Sequence, residues 1–310
     1  METIDILMAT YNGENYVENQ IRSIMNQTYK NWILYISDDG SNDATKDIIN
    51  RYSLLDQRIK VVPFKKCGGP KENFLYLLTF SKNKFVMFAD QDDEWLPTKI
   101  ENAYNIIKKF STSNNPILVY SDLIVTDKEL NTIDNSYFHY QSIKPNTNFK
   151  NLLTQNCITG CTMMFNDVLR KLTLKIKNVD NIIMHDWWMA LIASAFGQII
   201  ISEKSLIKYR QHDFNSVGAK KGYGLNYLYI KLKNISDIQK ALFNTRRQCS
   251  EFFDVFMLEG NEKLNDSSIY ILSKEYGNLY NNKFKRMIIY IKYKVTKGKV
   301  FKTIALYLFG

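Results

Sequence analysis

The sequence predicts an α/β fold: a mostly parallel central sheet flanked by helices, with a helical C-terminal extension. Three observations carry that expectation. Short apolar runs alternate with helix-length amphipathic stretches from Ile4 to Tyr120. Each run closes on turn-forming or acidic residues. From about Gly222 onward strand alternation stops and only helical spacing remains.

In order, Ile4–Met8 (IDILM) reads as a buried strand and Tyr11-Asn12-Gly13 as its turn. A helix follows from Glu14, with Val17, Ile21, Ile24 and Met25 along one face. Trp32–Ser37 is the second strand, and Asp38-Asp39-Gly40-Ser41 is a turn. Asn42 or Asp43 caps the next helix. Lys60–Pro63 is a short third strand, and Phe74–Phe80 lies in another helix. Phe85–Ala89 is the fourth strand, ending at Asp90, and Ile117–Tyr120 is the fifth. Further on, Asn156–Phe165 is a loop feeding a strand, and a helix begins near His185-Asp186. Ile199–Ile201 and Leu206–Tyr209 are short strands. Parallel strands joined by helices place ligands beyond the carboxyl ends of the strands, where these acids gather.

Composition narrows the function classes. Hydrophobic residues make up 45% of the 310-residue chain and charged residues 23%, which supports a packed core and argues against disorder. The most apolar stretch, Trp187–Phe196, is far shorter than the roughly 18 to 20 residues of a membrane-spanning helix. The opening residues METIDILMAT carry acids instead of a basic leader. Four cysteines are too few for a disulfide framework, and Cys157 and Cys161 lack a second ligand pair at zinc spacing. A cytoplasmic protein with reduced thiols is expected.

The net charge of +10 is not spread evenly. Residues 1–219 carry 24 basic and 24 acidic side chains, whereas residues 220–310 carry 17 and 7. This predicts two regions, a neutral body over 1–219 and a basic helical region over 220–310. Residues 281–310 hold eight Lys/Arg and no acid, with Phe284, Ile288, Ile291 and Val295 at helical spacing. Such an amphipathic, cationic end suits an anionic membrane surface.

The chemistry concentrates in Asp90-Gln91-Asp92-Asp93-Glu94, four carboxylates in five positions. A helix start accounts for one or two of them. A divalent cation such as Mg2+ or Mn2+, together with a diphosphate, accounts for all four. Asp39, beside Thr10 and Tyr11 at neighbouring strand ends, is placed to accept the imide N–H of a pyrimidine while the Tyr11 ring stacks on the base.

The run MATYNGENYVENQIRSIMNQTYKNWILYISDDGSNDAT, followed by FADQDDEW, resembles the family 2 glycosyltransferases with the GT-A fold. The likeness spans residues 4 to about 215 and rests on three ordered motifs. It implies inverting transfer of a sugar from a nucleoside diphosphate donor, with a divalent cation as cofactor. Thr10, Tyr11, Asp39 and Asp90 are implied donor-binding residues, and Asp92 is the implied main metal ligand. The family places an acidic base at the start of a helix in its second half. Met184-His185-Asp186-Trp187-Trp188 fits, making Asp186 the implied catalytic base, with His185 where relatives carry Glu. Tyr209-Arg210-Gln211-His212-Asp213-Phe214-Asn215 looks like the family's closing loop, with Arg210 or His212 toward the diphosphate and His212 completing the metal shell. The pattern is most similar to bacterial rhamnosyltransferases, which implies dTDP-rhamnose before a UDP-sugar. The implied acceptor is a glycan or lipid-linked oligosaccharide at the inner face of the plasma membrane. Two other classes share some of these features. One is a sugar-nucleotide-binding protein without turnover; the other is a nucleic-acid binder using the basic end, although acids crowd the proposed cleft. A nicotinamide dehydrogenase is disfavoured because no G-x-G-x-x-G follows the first strand.

Overall fold

The computed structural model describes residues 1–110, 112, 114–212, 235–258, 264–278, 282–297, 303–304 and 306–307. The chain forms two compact units. The first comprises Met1–Gln141, Ile158–Leu174 and Ile199–Lys220, and the second Ser142–Cys157, Lys175–Gln198 and Lys221–Gly310. The expected boundary at 219/220 lies outside the described residues. The second unit also takes in two segments from within 1–219.

In the first unit, β1 (Ile4–Thr10), β2 (Trp32–Asp38), β3 (Ile59–Val61) and β4 (Phe85–Asp90) belong to one sheet. β1 lies parallel to both β2 and β4, and β2 is parallel to β3. Ile4, Ile6, Leu7 and Met8 of β1 are fully buried, as a strand covered on both faces requires. The full order is β10-β6-β9-β4-β1-β2-β3, with β6 (Ile117–Ser121), β9 (Met164–Asn166) and β10 (Gln198–Ser202). β9 runs antiparallel to both β4 and β6. Register sets Thr10 beside Asp38 and Ala9 beside Asp90, so three strands end together on one rim.

α1 (Val17–Met25), α2 (Thr45–Leu55), α3 (Pro70–Leu78) and α4 (Lys99–Ile107) are the connecting helices, and the short α5 (Tyr137–Gln141), α6 (Phe149–Leu152) and α7 (Asp167–Thr173) follow later in the chain. Pro70 opens α3, where its missing N–H costs nothing. Asp5 is a buried acid inside β1 and accepts hydrogen bonds from Ser81 Oγ, the Lys82 and Asn83 N–H groups, and Asn83 Nδ2. It thereby anchors the turn that feeds β4.

A second sheet of four strands, in the order β5-β11-β7-β8, is absent from the sequence-based reading as a sheet. It consists of β5 (Glu94–Trp95), β7 (Ile124–Thr126), β8 (Thr132–Asp134) and β11 (Ile207–Arg210). Three of these have only two or three residues, too few to display a period of two. Leu206–Tyr209 is recognisable because it is the longest.

The second unit is built around α8 (His185–Phe196) and α9 (Ile235–Phe256). Trp188 and Phe196 of α8 pack with Phe252 and Phe256 of α9. Buried Glu251 accepts the N–H groups of Lys177 and Asn178 and a hydrogen bond from Asn181 Nδ2. Gln248 Oε1 accepts from the Ile183 N–H. α10 (Ser268–Gly277) crosses α9 closely, since a Cβ on Gly277 would lie 2.8 Å from the Ser250 nitrogen. α11 (Lys283–Lys292) follows. Thr154 Oγ1 donates to the Thr296 carbonyl and Thr296 Oγ1 to Asn151 Oδ1, so the basic end is docked within this unit. Among the described residues, no helix is long and apolar enough to cross a membrane.

Candidate active site

The loops following β1 and β2 are stitched together by their own polar groups. Asn12 N–H donates to Ser41 Oγ (2.9 Å), Gly13 N–H to Thr45 Oγ1 (2.7 Å) and Glu14 N–H to Asp43 Oδ2 (3.0 Å). In return, Asn42 N–H donates to Asn12 Oδ1 and Ala44 N–H to Glu14 Oε2. Thr10 is buried and its hydroxyl donates to Asp38 Oδ1 (3.1 Å). Asp38 also accepts from the Gly40 and Ser41 N–H groups, closing a turn in which Gly40 has φ +88°, a left-handed conformation suited to glycine.

Asp39 is buried, and its carboxylate accepts from the Cys67 and Gly68 N–H groups. The second Asp of the pair thus holds the loop after β3 as well as facing the rim. An ionised carboxylate offers about four acceptor positions, which leaves capacity for another donor. Tyr11 remains 54% exposed, an aromatic ring open to a planar partner.

Gln91 joins this loop pair to the acidic segment. Its Oε1 accepts from Tyr11 N–H and its Nε2 donates to the Tyr11 carbonyl, both at 3.0 Å. Gly13 lies underneath, where a Cβ would sit 2.2 Å from Gln91 Oε1. Neither role is visible in the sequence, where Gln91 is only the spacer between two acids.

The four carboxylates do not share one set of partners. Glu94 lies in β5 and pairs with Lys208 of β11 at 2.7 Å, because β5 and β11 put these residues in register. Asp93 is fully buried and its Oδ1 accepts from the Arg210 N–H at 3.3 Å. Burial, and then the neighbouring Asp92 and Asp90 charges, hold its carboxyl well above the usual carboxylate range. Lys99 is buried too, with its ammonium 4.2 Å from the centre of the Trp95 ring; burial brings it down to about 8 against the opposing pull of Cys161 and Asp93. The reading in which a divalent cation together with a diphosphate accounts for all four acids is therefore corrected. Glu94 is held by a lysine and Asp93 serves the interior, which leaves Asp90 and Asp92 as the rim acids. The alternative of a helix start fails too, since α4 begins only at Lys99.

Asp92 Oδ2 lies 2.8 Å from His212 Nε2. His212 stacks on Tyr16 with ring centroids 4.7 Å apart, and the Arg210 guanidinium lies 4.8 Å from the centre of that same ring. Arg210 is buried. Its Nε donates to the Asp92 carbonyl at 2.8 Å, and a second nitrogen donates to the Lys128 carbonyl. Arg210 thus braces the backbone of the acidic segment, where the sequence suggests a group reaching toward a diphosphate. Tyr16, which organises both Arg210 and His212, carries no signal in the sequence.

Asp90, Asp93 and Cys161 place ligand atoms within 4.8 Å of one another, and Asp92 adjoins an imidazole. Burial first, then the Asp93 and Asp90 carboxylates, push the Cys161 thiol well above its ordinary range, so it stays protonated. What remains on the rim is the Asp90 and Asp92 carboxylates with one imidazole, donors that fit a hard divalent cation.

Asp186 belongs to the second unit. It lies in the first turn of α8, whose N-cap is Met184, and its Oδ1 accepts from the Trp187 N–H. Trp187 Nε1 donates to the Leu152 carbonyl at 2.6 Å, and Trp188 is fully buried. Asp186 is half-buried, and the two indoles that follow it in the chain are both anchored. His185 beside it is buried, and burial drives its imidazole from 6.5 down to about 3, so it remains neutral at physiological pH. The unfolded chain takes up a proton on His185 below about pH 6.5, whereas the folded chain does so only near pH 3. Stability is therefore expected to fall progressively as pH drops through that window, by up to several kcal/mol. Thermal melts of wild type and His185→Phe at neutral and mildly acidic pH measure this. The variant is expected to show the shallower acid dependence.

The seven-stranded sheet with its acidic rim has the architecture of the GT-A glycosyltransferases. S. aureus TarS in complex with UDP-GlcNAc superposes with a TM-score of 0.54 over 95% of this chain and 88% of that one, at 15% identity. TarS in complex with UDP gives a TM-score of 0.56 over 89% of this chain and 70% of that one, also at 15% identity. The family model for glycosyl transferase family 2 matches residues 5–173, and the chain belongs to that family. It is a glycosyltransferase. The dTDP-rhamnosyl transferase RfbG of Shigella flexneri is 29% identical over 259 residues, covering 76% of this chain and 84% of RfbG. The glucosyltransferase WfaP of Escherichia coli, named for UDP-Glc and α-D-GlcNAc-diphosphoundecaprenol, is 34% identical over 130 residues. That match covers 41% of this chain and spans half the length of WfaP.

Proposed function

We propose that the chain transfers a sugar, with inversion, from a nucleoside diphosphate donor to an acceptor hydroxyl in bacterial cell-surface polysaccharide synthesis. The favoured donor is dTDP-rhamnose, with a UDP-sugar as the alternative. The acceptor is a glycan or lipid-linked oligosaccharide, met at the inner face of the plasma membrane with the C-terminal region toward its anionic surface. The observation that supports this most is the meeting of Thr10, Tyr11, Asp39, Asp90, Asp92, Arg210 and His212 around the carboxyl ends of three adjacent strands, joined through Gln91. The naming of RfbG supports the rhamnose donor, and that of WfaP supports both the alternative donor and the lipid-linked acceptor.

Each residue then has a distinct task. Tyr11 stacks on the base and Asp39 accepts its imide N–H. Thr10 holds the Asp38 turn that shapes this pocket. Asp90 and Asp92, with His212, hold the divalent cation, which when bound offsets the charge of the departing diphosphate. Arg210 keeps the Asp92 backbone in place through its bond to the carbonyl. Asp186 takes the acceptor proton as the hydroxyl oxygen attacks the anomeric carbon.

Incubation with dTDP-rhamnose or UDP-glucose, Mn2+ and an undecaprenyl-diphosphate-linked sugar tests the reading. Acceptor-dependent release of the nucleoside diphosphate and a product of inverted anomeric configuration are expected. Donor binding with no release in the presence of acceptor would instead indicate a binding protein.

A further inference from the structure

α11 exposes an apolar row where a helix at the surface of a globular unit ordinarily carries polar residues. Phe284, Ile288 and Ile291 are 73%, 61% and 54% exposed. Their spacing of four and three puts them on one stripe of the helix. The residues that α11 buries, Ile289 and Tyr290, are different ones. The helix therefore has two apolar faces, one used by the fold and one turned outward. Sequence spacing alone points to a single stripe through Phe284, Ile288, Ile291 and Val295; in the structure Val295 is fully buried and the other three are not.

The exposed row is bordered by like charge. Lys283, Lys285 and Lys292 are exposed on the same helix, and Lys294 follows it. The last thirty residues contain no acid to offset them. A large apolar row is costly in water and marks an interaction site. Its cationic border selects an anionic partner, and long lysine side chains reach headgroups while their stems lie along the apolar zone. A helix of ten residues is too short to span a bilayer but long enough to lie in its interface.

We infer that the Phe284–Ile288–Ile291 face is the surface by which this chain enters the interface of an anionic bilayer, with the neighbouring lysines on the headgroups. This extends the membrane-facing reading above by naming the inserted side chains, and it rests on that reading only for the choice of bilayer over protein partner. The full-length chain is mixed with vesicles of phosphatidylglycerol and phosphatidylcholine, or of phosphatidylcholine alone, and bound protein is measured by flotation. Wild type is expected to float with the anionic vesicles and to lose that binding in high salt. The triple variant Phe284→Ser, Ile288→Ser, Ile291→Ser is expected to bind at least about tenfold more weakly. Lys285→Gln with Lys292→Gln is expected to weaken binding in low salt. Because the three apolar positions are outward-facing, an unchanged melting temperature and an unchanged donor-induced stabilisation certify the fold of the variants. Equal flotation of the triple variant and wild type overturns the inference. So does a wild-type dimer that the triple variant converts to monomer, which assigns the face to a second copy. Either failure leaves transfer to a soluble acceptor analogue intact, so it is distinct from failure of the proposed activity.

Discussion

Asp186→Asn is expected to lower kcat by about 10²- to 10⁴-fold, the contribution typical of a general base, while leaving donor binding unchanged. The exchange is nearly isosteric. The Trp187 N–H retains a side-chain oxygen to bond, and the helix start remains fixed by Trp187 on the Leu152 carbonyl and by Trp188 in the aromatic core. Little stability is therefore at stake, and the loss reads out the missing proton acceptor. Neighbouring His185 cannot substitute, since burial leaves its ring so weakly basic that it protonates only near pH 3. Steady-state transfer assays beside a melting curve measure the effect. Near-normal turnover in Asp186→Asn would show that another group removes the acceptor proton.

Asp92→Asn is expected to produce the second large effect, a fall in kcat/KM of about 10²- to 10³-fold. The amide oxygen still accepts from His212, and the backbone carbonyl still accepts from Arg210, so local structure is retained. What disappears is the negative charge on the rim. The Mn2+ concentration for half-maximal rate should rise in parallel. Asp93→Asn, by contrast, alters a fully buried group, held above the usual carboxylate range by that burial, which bonds the Arg210 N–H in the interior. Its effect on the Mn2+ requirement is expected to be much smaller. Assays across a Mn2+ series separate the two aspartates. Equal sensitivity of both would show that the buried acid sets the cation requirement as much as the rim acid does.

The alternation of long apolar runs made the parallel core legible, because β1, β2 and β4 have six or seven residues and β1 and β4 are buried on both faces. The acidic rim was legible for the same reason, since strand ends fix where a site lies. The direction of each acid was not. Glu94 turns away because a two-residue strand pairs it with Lys208, and Asp93 turns inward because Arg210 offers it an N–H. Both partners come from more than a hundred residues away, beyond any local pattern. The roles of Gln91, Gly13 and Tyr16 are illegible on similar grounds: each acts by close approach to another segment, which no local pattern displays. The basic C-terminal region was legible by charge and helical spacing. That two earlier segments, Ser142–Cys157 and Lys175–Gln198, fold with it depends on contacts such as Glu251 with Lys177 and Asn178.

The central claim is that the rim acids hold an activated sugar through a divalent cation, and ligand-induced stabilisation measures it most directly. Only binding to the folded state raises the melting temperature. Melting curves are recorded for wild type and Asp92→Asn with dTDP-rhamnose and UDP-glucose, each with Mn2+ and with a chelator. The expected result is a rise with at least one of these donors in wild type that requires Mn2+ and is lost in Asp92→Asn. An equal rise with chelator present, or in Asp92→Asn, would contradict it.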